Sequence, residues 1–325
     1  MLKAPCCTTQ RTTCVTSRSS PAIEFSFFFE FAGGKVIFLQ LIWSSLAVAL
    51  LVGTVQTGVQ RWQAAPLILA AEVYEGQKAE ALAPAAASVQ AIAAHTHVPG
   101  TGAHAHPQAA LQQQGQAAEP VHDHKHGAAN EWEPENGAER VGWTWVANAL
   151  HAFSMALLVF AVMGVWRYQR GTALAALPLA GVVAAAGWLS FHLWPTLGLP
   201  AEVPGMDAAQ LPARQLWTVL AVCSAAFACG LAGFGTAKWR WLVAALLLAL
   251  PFVVGAPHLQ GDALAGHGPE AHAALEQLRG QFVWATSWVA LSFWLSMGVV
   301  CGLVFQRWVQ PVLLENFTGG RLEAV

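Results

Sequence analysis

Apolar residues gather along this chain into six runs of roughly 17 to 25 mostly uncharged positions, the length a helix needs to cross hydrocarbon. They cover about 36–60, 142–166, 173–194, 215–237, 240–256 and 282–306. None shows the short alternating pattern of a barrel strand. Because hydrocarbon offers backbone groups no outside partner, all six runs are predicted to be helical. The 240–256 run is short and carries Pro251, so five or six spans fit the pattern. The predicted fold is therefore all-α, a polytopic helix bundle with a long loop after its first span. Residues 1–35 form an atypical extension and 36–60 the first transmembrane helix. Residues 61–141 form an outer loop with a low-complexity segment at 83–127, 142–308 the rest of the bundle, and 309–325 a tail.

Composition agrees, at 55% hydrophobic and 10% charged residues with a mean hydropathy of +0.46. An ordinary soluble domain carries roughly 25% charged residues, so the chain is read as a membrane protein with a lipid bilayer as its solvent. Lys and Arg set the orientation. With the N-terminus inside, Lys3, Arg11, Arg18, Lys35, Arg167, Arg170, Lys238, Arg240, Arg307 and Arg321 all fall on the cytoplasmic side, ten of the sixteen basic residues. Both termini are then cytoplasmic. Trp62, Trp143, Trp145, Trp166, Trp194, Trp217, Trp239, Trp241, Trp284 and Trp308 lie near predicted span ends, where an indole suits the headgroup level.

This topology sends the metal-binding side chains to one face. Seven of the twelve histidines, His95, His97, His104, His106, His122, His124 and His126, fall in the long loop within a Gln/Ala/Gly/Pro-rich stretch. Fourteen of the eighteen carboxylates are also outside. Neutral imidazole is a borderline ligand, and a mobile tether can supply two to four to Co²⁺, Ni²⁺, Cu²⁺ or Zn²⁺. The bland alternative is a solvated spacer that happens to be His-rich. A floppy imidazole site follows the Irving–Williams order, so selectivity must come from the membrane domain. No cysteine lies in an outer loop, which removes a disulfide framework and a thiolate site from that face. Cys6, Cys7 and Cys14 belong to residues 1–35, which resemble no signal peptide. That segment reads as an over-extended gene start, with Val36 as an alternative initiator.

Nearer the membrane, Pro66 to Glu75 is predicted to continue the first span as an ordered helix that brings Glu72 and Glu75, neighbours on one face, to the outer mouth. Turn signals at Pro134 and Asn136-Gly137 return the chain to the second span. His151 lies well inside the second span, His192 near the end of the third, and His258 at the end of the fifth. Ionisable groups at such depth usually face a cavity or a partner, although an interhelical hydrogen bond accounts equally well for His151 and His192. The segment Gly298-Val299-Val300-Cys301-Gly302 fits a small-xxx-small helix contact. No P-loop and no catalytic set can be argued from spacing, so an enzyme and a nucleic-acid binder are both disfavoured. Two other classes remain. One is a membrane sensor or delivery protein for Ni²⁺, Zn²⁺ or Cu²⁺ that does not transport. The other is a haem b redox protein with His151 and His192 as axial ligands, disfavoured by their different predicted depths.

Several segments taken together resemble a known family. They are Pro66 to Glu75, the His-rich segment ending His122-Asp123-His124-Lys125-His126, the Trp132-Glu133-Pro134 turn, Leu197 to Gly205, Arg214-Gln215-Leu216-Trp217 and Gly255-Ala256-Pro257-His258. In order and spacing, from about residue 36 to 308, they resemble the CbtA family of cobalt transporter subunits. The resemblance implies a bacterial inner-membrane permease component for cobalt uptake, linked to cobalamin synthesis. It implies a small one-span, His-bearing CbtB-type partner, with Co²⁺ as transported ion and no permanently bound cofactor. It supplies no ligand residues. Two departures are visible: the family is usually described with five spans rather than six, and residues 1–35 fall outside the likeness. The mechanism expected is capture on the periplasmic His-rich loop, transfer to Glu72, Glu75, His192 and His258 at the mouth, and passage to His151, in one copy or in a homo-oligomer.

Overall fold

The computed structural model describes residues 34–78, 134–171 and 173–315, and every regular element among them is helical. The extension up to residue 33, the seven loop histidines and the tail from 316 lie outside the described residues. Helix α1 (Gly34–Gln63) leads through Ala64 into α2, residues 65–78. Then come α3 (Ala138–Arg170), α4 (Ala176–Gly198), α5 (Leu211–Phe234), α6 (Arg240–Val254) and α7 (Pro269–Glu315). Five of these, α1, α3, α4, α5 and α7, are long and apolar enough to cross a membrane. On α1, Phe38, Trp43 and Leu51 are exposed while Val48 and Val52 are fully buried. An apolar outer face over a packed interior is the arrangement a bilayer demands.

The fifth predicted run, 240–256, became α6, whose 15 residues extend only about 22 Å against a hydrocarbon thickness near 30 Å. The chain nevertheless returns along it. Helix α5 leaves the loop that holds Asp207, and beyond α6 the Ala263 carbonyl accepts the Asp207 N–H at 2.8 Å. An irregular stretch from 255 to 262 follows it and leads to the turn at 263–266. Two tryptophans fasten this short helix: Trp194 Nε1 donates to the Leu248 carbonyl and Trp217 Nε1 to the Pro251 carbonyl, each at 3.0 Å. Trp217 is thus buried within the chain, whereas Trp62, Trp143, Trp239, Trp241 and Trp284 are exposed.

Helices α1, α3, α4 and α7 share one core, in which Val52, Phe160, Met163, Leu179, Met297 and Phe305 are almost wholly buried. Lipid tails are as apolar as leucine, so close packing rather than burial from water holds such a core. The small-xxx-small expectation is met at the α4–α7 crossing. A Cβ added at Gly302 would lie 2.8 Å from Leu177 Cδ1, and one at Gly298 would lie 3.0 Å from Ala184 Cβ.

Two π-helical turns interrupt the long helices, Leu189–Leu193 in α4 and Phe305–Val309 in α7. Each ends two residues before a proline, Pro195 and Pro311. A proline donates no N–H and its ring presses on the carbonyl four residues back, here Phe191 and Arg307. Widening the turn by one residue relieves that conflict and places His192 within the loosened turn of α4.

Helix α7 starts thirteen residues before the predicted run at 282, because its first turns bury Leu275 outside the bilayer-length segment. Leu275 joins Ala71 of α2, Val203 and Leu264 in a second, small core, with Tyr74, Met206, Leu278 and Phe282 against it. This core makes a cap at one end of the bundle.

Candidate functional site

The cap is bound together by ion pairs that link its segments. Arg140 at the start of α3 grips Glu72 of α2, with Nη2 2.6 Å from Oε1 and Nη1 3.3 Å from Oε2, and Nη1 also donates to Asn136 Oδ1. Lys78 meets Asp207 at 3.0 Å, and Arg214 meets Glu202 at 2.5 Å. Asp262 accepts the Leu264 N–H and lies 3.3 Å from His272 Nε2; the backbone bond first, and then His272, holds this carboxyl below the usual aspartate range. His267 Nε2 is 3.0 Å from the Gly205 carbonyl. The cap is therefore less free in its charge than the count of carboxylates suggested, since Glu72, Glu202 and Asp207 each have a cationic partner.

The predicted ligands divide as follows. His95, His97, His104, His106, His122, His124 and His126 lie outside the described residues, but the segment that carries them leaves from Lys78 and returns at Pro134, both at the cap. Glu75 is exposed on α2 beside the Gly205 backbone, one turn beyond Glu72. His258 is exposed in the stretch between α6 and α7. His192 is half-buried, its ring 6.4 Å from that of Trp188. His151 projects from α3 with its ring 5.1 Å from Phe293 of α7. His151 is exposed on α3 although it lies within an apolar run, His192 is half-buried, and the two have different aromatic neighbours. Among the described residues no three His, Cys, Asp or Glu side chains stand close enough to hold a metal ion. Glu72, Glu75, His192 and His258 are accordingly not drawn into one cluster.

Sequence reasoning passed over a set of uncharged polar side chains below the cap. Asn148 of α3 donates from Nδ2 to Thr57 Oγ1 at 3.0 Å and to Gln60 Oε1 at 2.6 Å, both on α1. Thr57 passes its own hydrogen to the Gly53 carbonyl at 2.8 Å. Gln56, one turn before Gln60 and 8% exposed, has an enclosed Oε1 with no hydrogen-bond partner. The signal was present as carboxamides at positions 56, 60 and 148 inside apolar runs.

The description "Probable cobalt transporter subunit (CbtA)" belongs to a family model that matches residues 38–306 of this chain. No curated protein and no solved structure matches it.

Proposed function

The chain belongs to the CbtA family of probable cobalt transporter subunits, and from that premise we propose that it is the multi-pass permease subunit of a cobalt uptake system. The family match over most of the chain carries this reading. In it the cap faces the periplasm of a bacterial inner membrane and both termini are cytoplasmic, a reading that the short basic clusters Arg167/Arg170 and Lys238/Arg240 support.

The mechanism has three stages. The seven histidines between 95 and 126, rooted at both ends in the cap, raise the local Co²⁺ concentration. Glu75 and His258, both exposed, receive the ion first. Glu72 joins them once Arg140 releases it, and His192 and His151 serve as the deeper imidazoles. An ion that arrives near Glu72 competes with the guanidinium for the same oxygens, so cation arrival and opening of the cap are coupled. The subunit description implies a partner, and a small one-span, His-bearing CbtB-type protein fits that place.

Growth tests this reading. Cells that lack cobalt import and must make their own cobalamin should recover growth on trace cobalt when supplied with this chain and its partner. Failure at trace cobalt, with rescue by added cobalamin, contradicts it.

A further inference from the structure

A buried polar atom without a partner is rare in a native protein, and in hydrocarbon its cost has no water to offset it. Helix α1 carries three such oxygens on its buried stripe: Ser44 Oγ and Ser45 Oγ, both in fully buried residues, and Gln56 Oε1. Ser45, Ala49, Val52 and Gln56 follow one another at helical spacing and all are buried. Gln56 stands seven residues before the end of α1, about 10 Å below the cap end of the helix. Beside it the Thr57, Gln60 and Asn148 groups are already linked. Both Asn148 N–H groups are used there, which leaves its Oδ1 free to accept.

Away from the cap, this group of oxygens is bounded by close helix packing. A Cβ at Gly53 would lie 2.8 Å from Ala149 Cα, so α1 and α3 touch backbone to backbone at that level. Val52 and Val48, both fully buried, follow before Ser45 and Ser44. Gln56 Oε1, the unpartnered oxygen on the cap side of the Gly53–Ala149 contact, costs stability and joins nothing, so architecture gives it no purpose. The chemistry of this group of oxygens suits a cation that retains part of its water shell: neutral amide and hydroxyl oxygens bind by ion–dipole attraction or accept hydrogen bonds from metal-bound water. Such binding is weak enough to let the ion go, where a carboxylate would trap it.

We propose that Gln56, with Thr57, Gln60 and Asn148, forms an intramembrane station for a partly hydrated divalent cation between α1 and α3. The Gly53–Ala149 contact bounds this station on the side away from the cap. The proposal rests on the transport reading for its purpose, but the binding site can be tested without it.

The test uses full-length protein with Gln56→Met and Gln56→Glu, read by cobalt uptake and by the shift in Tm on adding Co²⁺. Methionine fills the glutamine's volume without the unpartnered oxygen, so Gln56→Met should melt no lower than the parent. Its uptake at saturating cobalt should fall about tenfold or more, the scale of one lost hydrogen bond to a charged group. Gln56→Glu should gain a larger Co²⁺-dependent rise in Tm than the parent, because a buried carboxylate at the station needs the cation. The His-rich loop contributes equally in every variant. Wild-type uptake by Gln56→Met, or no additional Co²⁺ stabilisation of Gln56→Glu, overturns the proposal. If the parent itself fails to transport cobalt, the transport reading fails, and the Tm shift of Gln56→Glu still decides the site.

Discussion

Arg140 holds Glu72 through two guanidinium nitrogens, at 2.6 and 3.3 Å, and so ties the first turn of α3 to the helix that follows α1. Both side chains are a little over one-third exposed, 38% and 35%, so water screens the pair and its worth is modest. A double-mutant cycle with Arg140→Gln and Glu72→Gln should give a coupling of about 0.5–1 kcal/mol in thermal stability. Adding Co²⁺ should lower that coupling in the parent background if the ion competes for the same oxygens. A coupling that ignores cobalt removes Glu72 from the transfer route.

The α4–α7 crossing depends on the absence of a side chain. Gly302→Leu would drive new atoms into Leu177, whose Cα lies 3.0 Å from even the first added carbon. Overpacking of this kind costs about 1–3 kcal/mol, seen as a lowered Tm in detergent. Gly233→Ala serves as the control, since its nearest neighbour is Trp166 at 3.7 Å, and should leave Tm nearly unchanged. Equal losses at the two sites would mean that close packing at Gly302 is not what holds the crossing.

Deletion of residues 95–126 should raise the cobalt concentration needed for half-maximal uptake and leave the maximal rate close to the parent's. A tether acts through effective concentration, which matters only when the ion is scarce. Loss of the maximal rate would place the histidines on the obligatory route instead.

His258→Ala should behave in the opposite way, lowering uptake even at abundant cobalt, because a receiving ligand on the route cannot be replaced by more ion. Uptake kinetics over a range of cobalt concentrations separate the two variants. A parental maximal rate in His258→Ala excludes it as a receiver.

The spans were legible because hydrocarbon imposes a length and a polarity that any correct helix must meet, and α1, α3, α4 and α5 lie within a few residues of their predicted bounds. The start of α7 was not legible from apolar length, since Pro269 to Gln281 is half polar and its helicity depends on burying Leu275 in the cap. The cap itself was hidden for the same reason: Ala71, Val203 and the pair Leu264 and Leu275 come from three distant stretches whose meeting no local pattern announces. The π turns could have been read from Pro195 and Pro311 with the rule that a proline disturbs the carbonyl four residues before it. The partners of the cap carboxylates could not, because Glu72 and Arg140 are 68 positions apart. The polar set around Asn148 has no distinctive local signature, because single carboxamides at positions 56, 60 and 148 are tolerated in apolar helices and only their meeting across α1 and α3 sets them apart.

Radiolabelled cobalt uptake into import-deficient cells that express the chain with and without its small one-span partner tests the central claim most directly, with nickel, zinc and copper as competitors. Cobalt-preferring accumulation that requires this chain is the predicted result. Tight cobalt binding at the outer face with no accumulation in the cell, partner present, would contradict it and make the protein a metal sensor or delivery protein.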